Sequence, residues 1–170
     1  LYPAVLKADR FELVLQKCTE LGVTTFVPVV AERSVPRVGE KWTASRYPRW
    51  RRIVREAAEQ SGRRRLPALE NPMGLGHACE AAKGVRIIPW EGERHTGIRA
   101  ALEEAGAEAI REEGVSVFTG PEGGLTAQEV SDAASSGIVP ISLGRRTLRA
   151  ETAAIVAVAA IQYELGELGG

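Results

Sequence analysis

Phe118-Thr-Gly-Pro-Glu-Gly-Gly-Leu125, answered by Leu143-Gly-Arg-Arg-Thr-Leu-Arg-Ala-Glu-Thr-Ala153, governs how this chain is read. Val115, Val117 and Phe118 lead into Gly120, and Ile141 and Leu143 lead into Gly144. Each apolar run passes through glycine and a few polar groups into a helix-like run. Strand ends that open into glycine loops let backbone amides and carbonyls approach a small ligand closely. Taken alone, Gly120 to Gly124 reads equally well as a tight strand-to-helix turn. Arg145, Arg146, Arg149 and Glu151 tip the reading toward a pocket. That much charge just ahead of an apolar helix is costly against a core unless it faces a ligand or a partner.

The loops also exclude ligands. No Gly-Lys-Ser/Thr follows the glycines, so a triphosphate and its magnesium have no grip. Gly74-Leu-Gly76 lacks the third glycine of a dinucleotide fingerprint and reads as a turn and helix-start pair. Cys18 and Cys79 make no disulfide framework and read as buried thiols in helices. His77 and Cys79 have no second close pair and His95 stands alone, so no metal site is expected.

At 170 residues the chain suits one domain spanning 1–170, and 44% apolar with 26% charged residues is a globular composition. No apolar run approaches the ~20 residues of a membrane span. Without a basic-then-apolar leader, the expected location is the cytoplasm. Net charge is zero but unevenly spread. Arg33, Arg37, Lys41, Arg46, Arg49, Arg51, Arg52, Arg55, Arg63, Arg64 and Arg65 face only Glu40, Glu56 and Glu59, so eleven cations minus three acids leave +8 in that stretch. The remainder carries −8. Such polarity suits a polyanionic partner, although a solvated arginine face would look the same.

Periodicity predicts a helix over Asp9–Leu21 ending at Gly22, then a strand over Thr24–Val30 near an edge or bulge because of Pro28. Pro36–Trp42 reads as a loop and Ser45–Ser61 as a helix capped by Ser45, with Pro48 tolerated only near its start. Leu66–Leu69 reads as a short strand, Gly76–Ala82 as a short helix, and Val85–Pro89 as a strand. An acidic helix over Ile98–Glu113, broken near Gly106, is followed by a strand over Val115–Thr119. Thr126-Ala-Gln-Glu129 is a capping box that starts a helix over Ala127–Ser135. The last strand is Ile138–Leu143 and the last helix Thr152–Leu165. Alternating strands and helices predict an α/β domain with a mostly parallel sheet, its ligand beyond the carboxyl ends of the strands, where Trp90, Gly120 and Gly144 meet. The last helix is apolar on all sides until its end, and a second subunit is the simplest way to bury it.

Four segments together, Gln16–Val23 with Glu32–Val35, Glu56–Arg63, Gly120–Gly124 and Leu148–Ala153, resemble the RsmE family. These are SPOUT-class enzymes that use S-adenosylmethionine to methylate N3 of a uridine in small-subunit (16S) ribosomal RNA. The resemblance implies a C-terminal trefoil knot, a homodimer through the last helix, and an N-terminal PUA-like domain. This chain opens instead at Leu1–Lys7, which looks like the first strand of the catalytic domain, as in a fragment or truncated relative. For the cofactor the resemblance points to Ile88, Trp90, Thr119, Gly120, Pro121, Gly123, Gly124, Leu143, Gly144, Leu148 and Thr152. Arg149 is the candidate donor to uracil or phosphate, with Glu122 or Glu151 as base or orienter. Arg33, Arg63, Arg64, Arg65 and Arg145 are the candidates for RNA. Uridine N3 must lose its proton, so a general base or cationic donors facing the flanking carbonyls are needed, whereas a metal or covalent nucleophile is not. Two alternatives stay open at this level: a SPOUT enzyme acting on transfer RNA or a ribose 2′-hydroxyl, and a non-catalytic RNA-binding module.

Overall fold

The computed structural model describes residues 1–34 and 40–169. Its elements run β1 (Tyr2–Pro3), α1 (Ala8–Glu20), β2 (Thr25–Phe26), β3 (Val29–Val30), α2 (Glu40–Gln60), β4 (Ala68–Leu69), β5 (Met73–Gly74) and α3 (Leu75–Ala81). There follow β6 (Val85–Pro89), α4 (Ile98–Ala105), α5 (Ala107–Glu113), β7 (Val115–Thr119), α6 (Ala127–Ser135), β8 (Val139–Ile141) and α7 (Ala150–Glu164). The main sheet has the order β1-β7-β6-β8, with β2-β4 and β3-β5 as separate pairs. Every strand pairing among the described residues is parallel, as the alternating pattern predicted.

Parallel strands covered on both faces are apolar at successive positions, and alternate residues serve opposite faces. Val85, Ile87 and Val117 enter a cluster with Phe11, Leu15, Trp50, Leu102 and Ile161 from α1, α2, α4 and α7. Their neighbours Ile88 and Phe118 enter a second cluster with Ala78, Cys79, Val130 and Ala133 from α3 and α6. The result is a sheet between two helical layers. Phe11 and Trp50 lock α1 to α2 with ring centroids 4.6 Å apart, and Tyr2 stacks on Phe118 at 4.4 Å. Burial pushes the Cys18 thiol up to about 12, so it packs as a small apolar group.

Several boundaries differ from the sequence reading. Thr24–Val30 is two short strands, because Pro28 has no N–H for a ladder; its carbonyl accepts from Met73 N at 3.0 Å as the chain changes partner. Helix α2 begins by Glu40, so Pro48 lies inside it rather than at its start. Only part of the predicted Pro36–Trp42 loop can be compared, since 35–39 fall outside the described residues. Strand β8 stops at Ile141 because Ser142 N turns to Thr96 O at 2.8 Å. Helix α7 starts two residues early and draws Glu151 into its buried first turn. Its apolar surface is only half covered: Ala154, Ala157, Val158 and Ile161 are buried, while Thr152, Val156 and Tyr163 are exposed. No helix among the described residues is long and apolar enough to cross a membrane.

The connections fix the position of the site. From β6 the chain crosses through α4 and α5 to β7, then returns through α6 to β8 on the other side of β6. Connections that leave adjacent strands in opposite directions open a crevice at the carboxyl ends.

Candidate active site

A cleft of about 400 Å³ lies in that crevice, within the ~300–1,000 Å³ usual for small-ligand sites. The loops after β6, β7 and β8 form it, together with the first turn of α1. Its walls include Pro89, Trp90, Gly120, Pro121, Leu125, Leu143 and Leu148, and its charged groups are Arg10, Glu91, Glu93, Glu122, Arg146, Arg149 and Glu151.

The loop after β7 folds on itself through Gly124 N to Pro121 O at 2.9 Å, with Gly124 at φ +71°. A side chain at Gly120 would come within 3.0 Å of the Leu125 side chain, so glycine lets the loop close over its own apolar anchor. Thr126 and Glu129 form the predicted capping box and start α6 behind it. Glu129 also accepts from Glu32 N at 2.8 Å, and Arg33 donates to Gly123 O at 3.1 Å. The Glu32-Arg33 segment is thus an outer brace for the glycine loop.

After β6, Trp90 N bonds Ile141 O at 3.0 Å, and the indole folds back over Gly92, where any side chain would meet the ring within 2.5 Å. Glu93 accepts from the amides of Arg94, His95 and Thr96. The His95 and Thr96 amides foremost hold its carboxyl below the usual carboxylate range. This loop therefore keeps its brace at neutral pH and loses it as the pH falls through that lowered value. After β8, Gly144 takes φ +105°, which only glycine adopts without strain.

The three candidate catalytic residues, Glu122, Arg149 and Glu151, come together here. Of the cofactor candidates, Trp90, Gly120, Pro121, Gly124, Leu143, Gly144 and Leu148 line the cleft. Four others do not. Ile88 and Thr119 are buried in the sheet, Gly123 backs onto Arg33, and Thr152 faces outward from α7.

The RNA candidates separate. Arg145 is exposed beside the cleft and Arg33 braces its rim. Arg63 to Arg65 lie at the opposite, amino-terminal end of the sheet, where Arg63 donates to the carbonyls of Thr19, Gly22 and Val23 and closes the end of α1. Thr19 lies in the last turn of α1, whose carbonyls lack helical partners, and Gly22 and Val23 belong to the turn that follows it. Arg63 is thereby a helix cap in this fold, while Arg64 and Arg65 remain exposed.

Sequence reasoning missed Arg10. It sits 3.6 Å from Glu122 and 3.9 Å from Glu151, yet no local pattern separates it from any other cation on the first turn of a helix. Glu122 also accepts Lys7 N at 2.9 Å, while Oε2 of the buried Glu151 has no hydrogen-bond partner among the described residues. The arrangement supplies what a transfer reaction at a weak acid needs: apolar walls, a buried carboxylate and several arginines. Among the described residues no group of three or more His, Cys, Asp or Glu is placed to hold a metal ion.

Comparison with known proteins gives this geometry a lineage. Residues 1–162 match the family described as RNA methyltransferase domain. The ribosomal RNA small subunit methyltransferase E of Synechocystis sp. is 37% identical over 161 residues, covering 93% of this chain and 50% of that protein. Its Bacillus subtilis counterpart is 32% identical over 166 residues, covering 96% and 65%. Among solved structures, a methyltransferase E from Neisseria gonorrhoeae bound to S-adenosyl methionine superposes with TM-score 0.81 at 32% identity, over 96% of this chain and 66% of that one. A Legionella pneumophila putative methyltransferase in complex with the cofactor SAM gives TM-score 0.85 at 32% identity, over 95% and 64%. The chain thus spans about half to two thirds of the length of these relatives. With the family matched over residues 1–162 and the glycine-loop cleft at the expected place, this chain belongs to the RNA methyltransferase domain family, and the relatives it resembles at 32–37% identity are ribosomal RNA small subunit methyltransferases E.

Proposed function

We propose that the chain methylates N3 of a uridine in small-subunit ribosomal RNA, with S-adenosylmethionine as donor. The observation that carries this reading is the cleft itself. Three strand-end loops place Trp90, Leu143 and Leu148 as apolar walls beside Glu122, Arg149 and Glu151. Bound there, the donor supplies an activated methyl group whose carbon–sulfur bond breaks as the new nitrogen–carbon bond forms, the electron pair leaving with sulfur. Loops and walls hold the adenosine, and alignment of donor and acceptor contributes ~7–11 kcal/mol of barrier lowering. Arg149 stabilises the negative charge that spreads onto the uracil carbonyls, and Glu122 or Glu151 manages the proton. We read the C-terminal segment as the trefoil knot of that fold, and the cytoplasm as its location, where ribosomal RNA is.

The half-covered apolar face of α7, with Val156 at 38% and Tyr163 at 63% exposure, supports a homodimer through this helix. Calorimetry with S-adenosylmethionine tests the cofactor reading, and saturable binding is the expected result. Nucleoside mass spectrometry of ribosomal RNA from a deletion strain tests the product. Loss of N3-methyluridine supports the proposal, whereas loss of a 2′-O-methyl or transfer-RNA mark would replace it.

The RNA surface has its own test. Arg64→Ala with Arg65→Ala is expected to weaken RNA binding and lower the slope of log K against log salt by up to about 2, since each phosphate contact contributes roughly 0.7–0.9. Arg63→Ala acts differently, because it uncaps α1 and lowers stability by ~1 kcal/mol. An unchanged salt slope in the double variant would remove this end of the sheet from the RNA path.

A further inference from the structure

The two cleft carboxylates are not equivalent, and the difference runs through Arg10. Glu122 is already engaged. Its Oε1 accepts the backbone N–H of Lys7 at 2.9 Å and lies 3.6 Å from the Arg10 guanidinium. Lys7 is the residue before α1, and no side chain of its own segment caps that helix. The carboxylate therefore supplies from the glycine loop the capping acceptor that the local sequence lacks, and adds its charge to that of Asp9 at the start of α1. Glu122 docks the helix onto the cofactor loop.

Glu151 is held differently. It lies in the first turn of α7 with the residue 8% exposed, and Oε1 is 3.9 Å from Arg10 Nε. Oε2 is buried and accepts no hydrogen bond among the described residues. A buried carboxylate oxygen without a partner is costly unless something visits it. The charged groups around it are Arg10 from α1, Glu122 from the β7 loop, Glu91 and Glu93 from the β6 loop, and Arg146 and Arg149 from its own approach. Only Arg10 comes within ion-pairing distance of Glu151 among the described residues.

We propose that Arg10 is a positioning residue that divides the labour of the two carboxylates: Glu122 seats helix α1, and Glu151, held by Arg10, is the group that takes the uridine proton. This rests on the methyl-transfer reading above. In the step, the N3–H bond breaks, its proton passes to the Glu151 carboxylate, and its electron pair stays on the uracil, spread over N3 and the flanking carbonyl oxygens. The carboxylate becomes a neutral acid. Arg10 acts by keeping the Glu151 side chain from turning away.

The test uses Glu151→Gln, Arg10→Met, Arg10→Lys and Glu122→Gln in the full-length protein, with S-adenosylhomocysteine for calorimetry and ribosomal RNA for single-turnover methyl transfer. Glu151→Gln is expected to lose at least about 100-fold in rate, as for a general base, with product affinity within threefold. Arg10→Met is expected to lose roughly tenfold in kcat at unchanged KM for RNA, to be largely rescued by Arg10→Lys, and to add nothing in the Glu151→Gln background. Glu122→Gln keeps an acceptor for Lys7 N but removes the charge at the start of α1 and its pairing with Arg10, and is expected to lower the unfolding temperature by about 2 °C, an effect that Glu151→Gln does not share. The proposal is overturned if Arg10→Met raises only KM, if its effect multiplies with that of Glu151→Gln, or if Glu122→Gln leaves the unfolding temperature unmoved while Glu151→Gln lowers it. A wild-type chain that binds S-adenosylhomocysteine but methylates no RNA would bring down the functional reading itself.

Discussion

Arg149→Ala is expected to cut methyl transfer by about 100- to 1,000-fold while cofactor affinity stays within a few-fold. Arg149 stands at the N-cap of α7, where its backbone is extended and its carbonyl accepts from Ala153 N at 2.8 Å. The residue is exposed, it lines the cleft, and its guanidinium has no ion pair or hydrogen bond among the described residues. A guanidinium left unengaged at the rim of a cleft is placed for something that arrives later. A donor aimed at charge developing in the transition state contributes roughly 3–4 kcal/mol, and its loss appears in kcat rather than in ground-state binding. Single-turnover rates with calorimetry on the same preparation separate the two. Equal loss of both quantities would instead make Arg149 part of the cofactor wall.

Gly84→Ala is expected to be the most damaging small substitution outside the cleft. Gly84 has φ +70°, and an added Cβ would sit 2.3 Å from Gly114 O and 2.7 Å from Glu113 O. These are backbone atoms, and Gly114 O is tied to Val85 N at 3.0 Å in the opening rung of the central strand pair. Relief of the clash requires that rung to part. Left-handed strain and overpacking together cost roughly 3–4 kcal/mol, or about 10 °C in unfolding temperature for a chain of this size. Gly62→Ala is the control. It shares a positive φ, at +68°, in the turn that ends α2, but an added Cβ there meets nothing within 4 Å, so it should lose only about 1 kcal/mol. Equal losses at the two positions would show that backbone strain alone, and not the contact with Gly114, sets the cost.

These two cases mark where sequence reading works and where it stops. Val85–Pro89, Val115–Thr119, the break at Gly106 and the helix begun by the Thr126 capping box were all legible, because each rests on contacts between near neighbours. The glycine loops and Glu122, Arg149 and Glu151 were legible for a related reason: glycine and crowded charge are out of place beside apolar runs unless the fold uses them. Arg63 marks a limit, because a guanidinium has the same local signature whether it meets phosphate or, as it does in this fold, the carbonyls at the end of α1. The split of Thr24–Val30 turned on which strands arrive to pair with it, and α2 runs on both sides of Pro48, which the local pattern did not foretell.

By itself the sequence determined the alternation of strand and helix, the parallel sheet and the three loops able to meet at its carboxyl edge, since these follow from periodicity and glycine placement along the chain. Tertiary structure alone decided that Arg10 joins the cleft, that Glu122 caps a helix more than a hundred residues away in sequence, and that Glu151 keeps one buried oxygen free. Those roles depend on distances across the fold, and a side chain's chemical task is set by the partner it meets there, which neighbours in sequence do not encode.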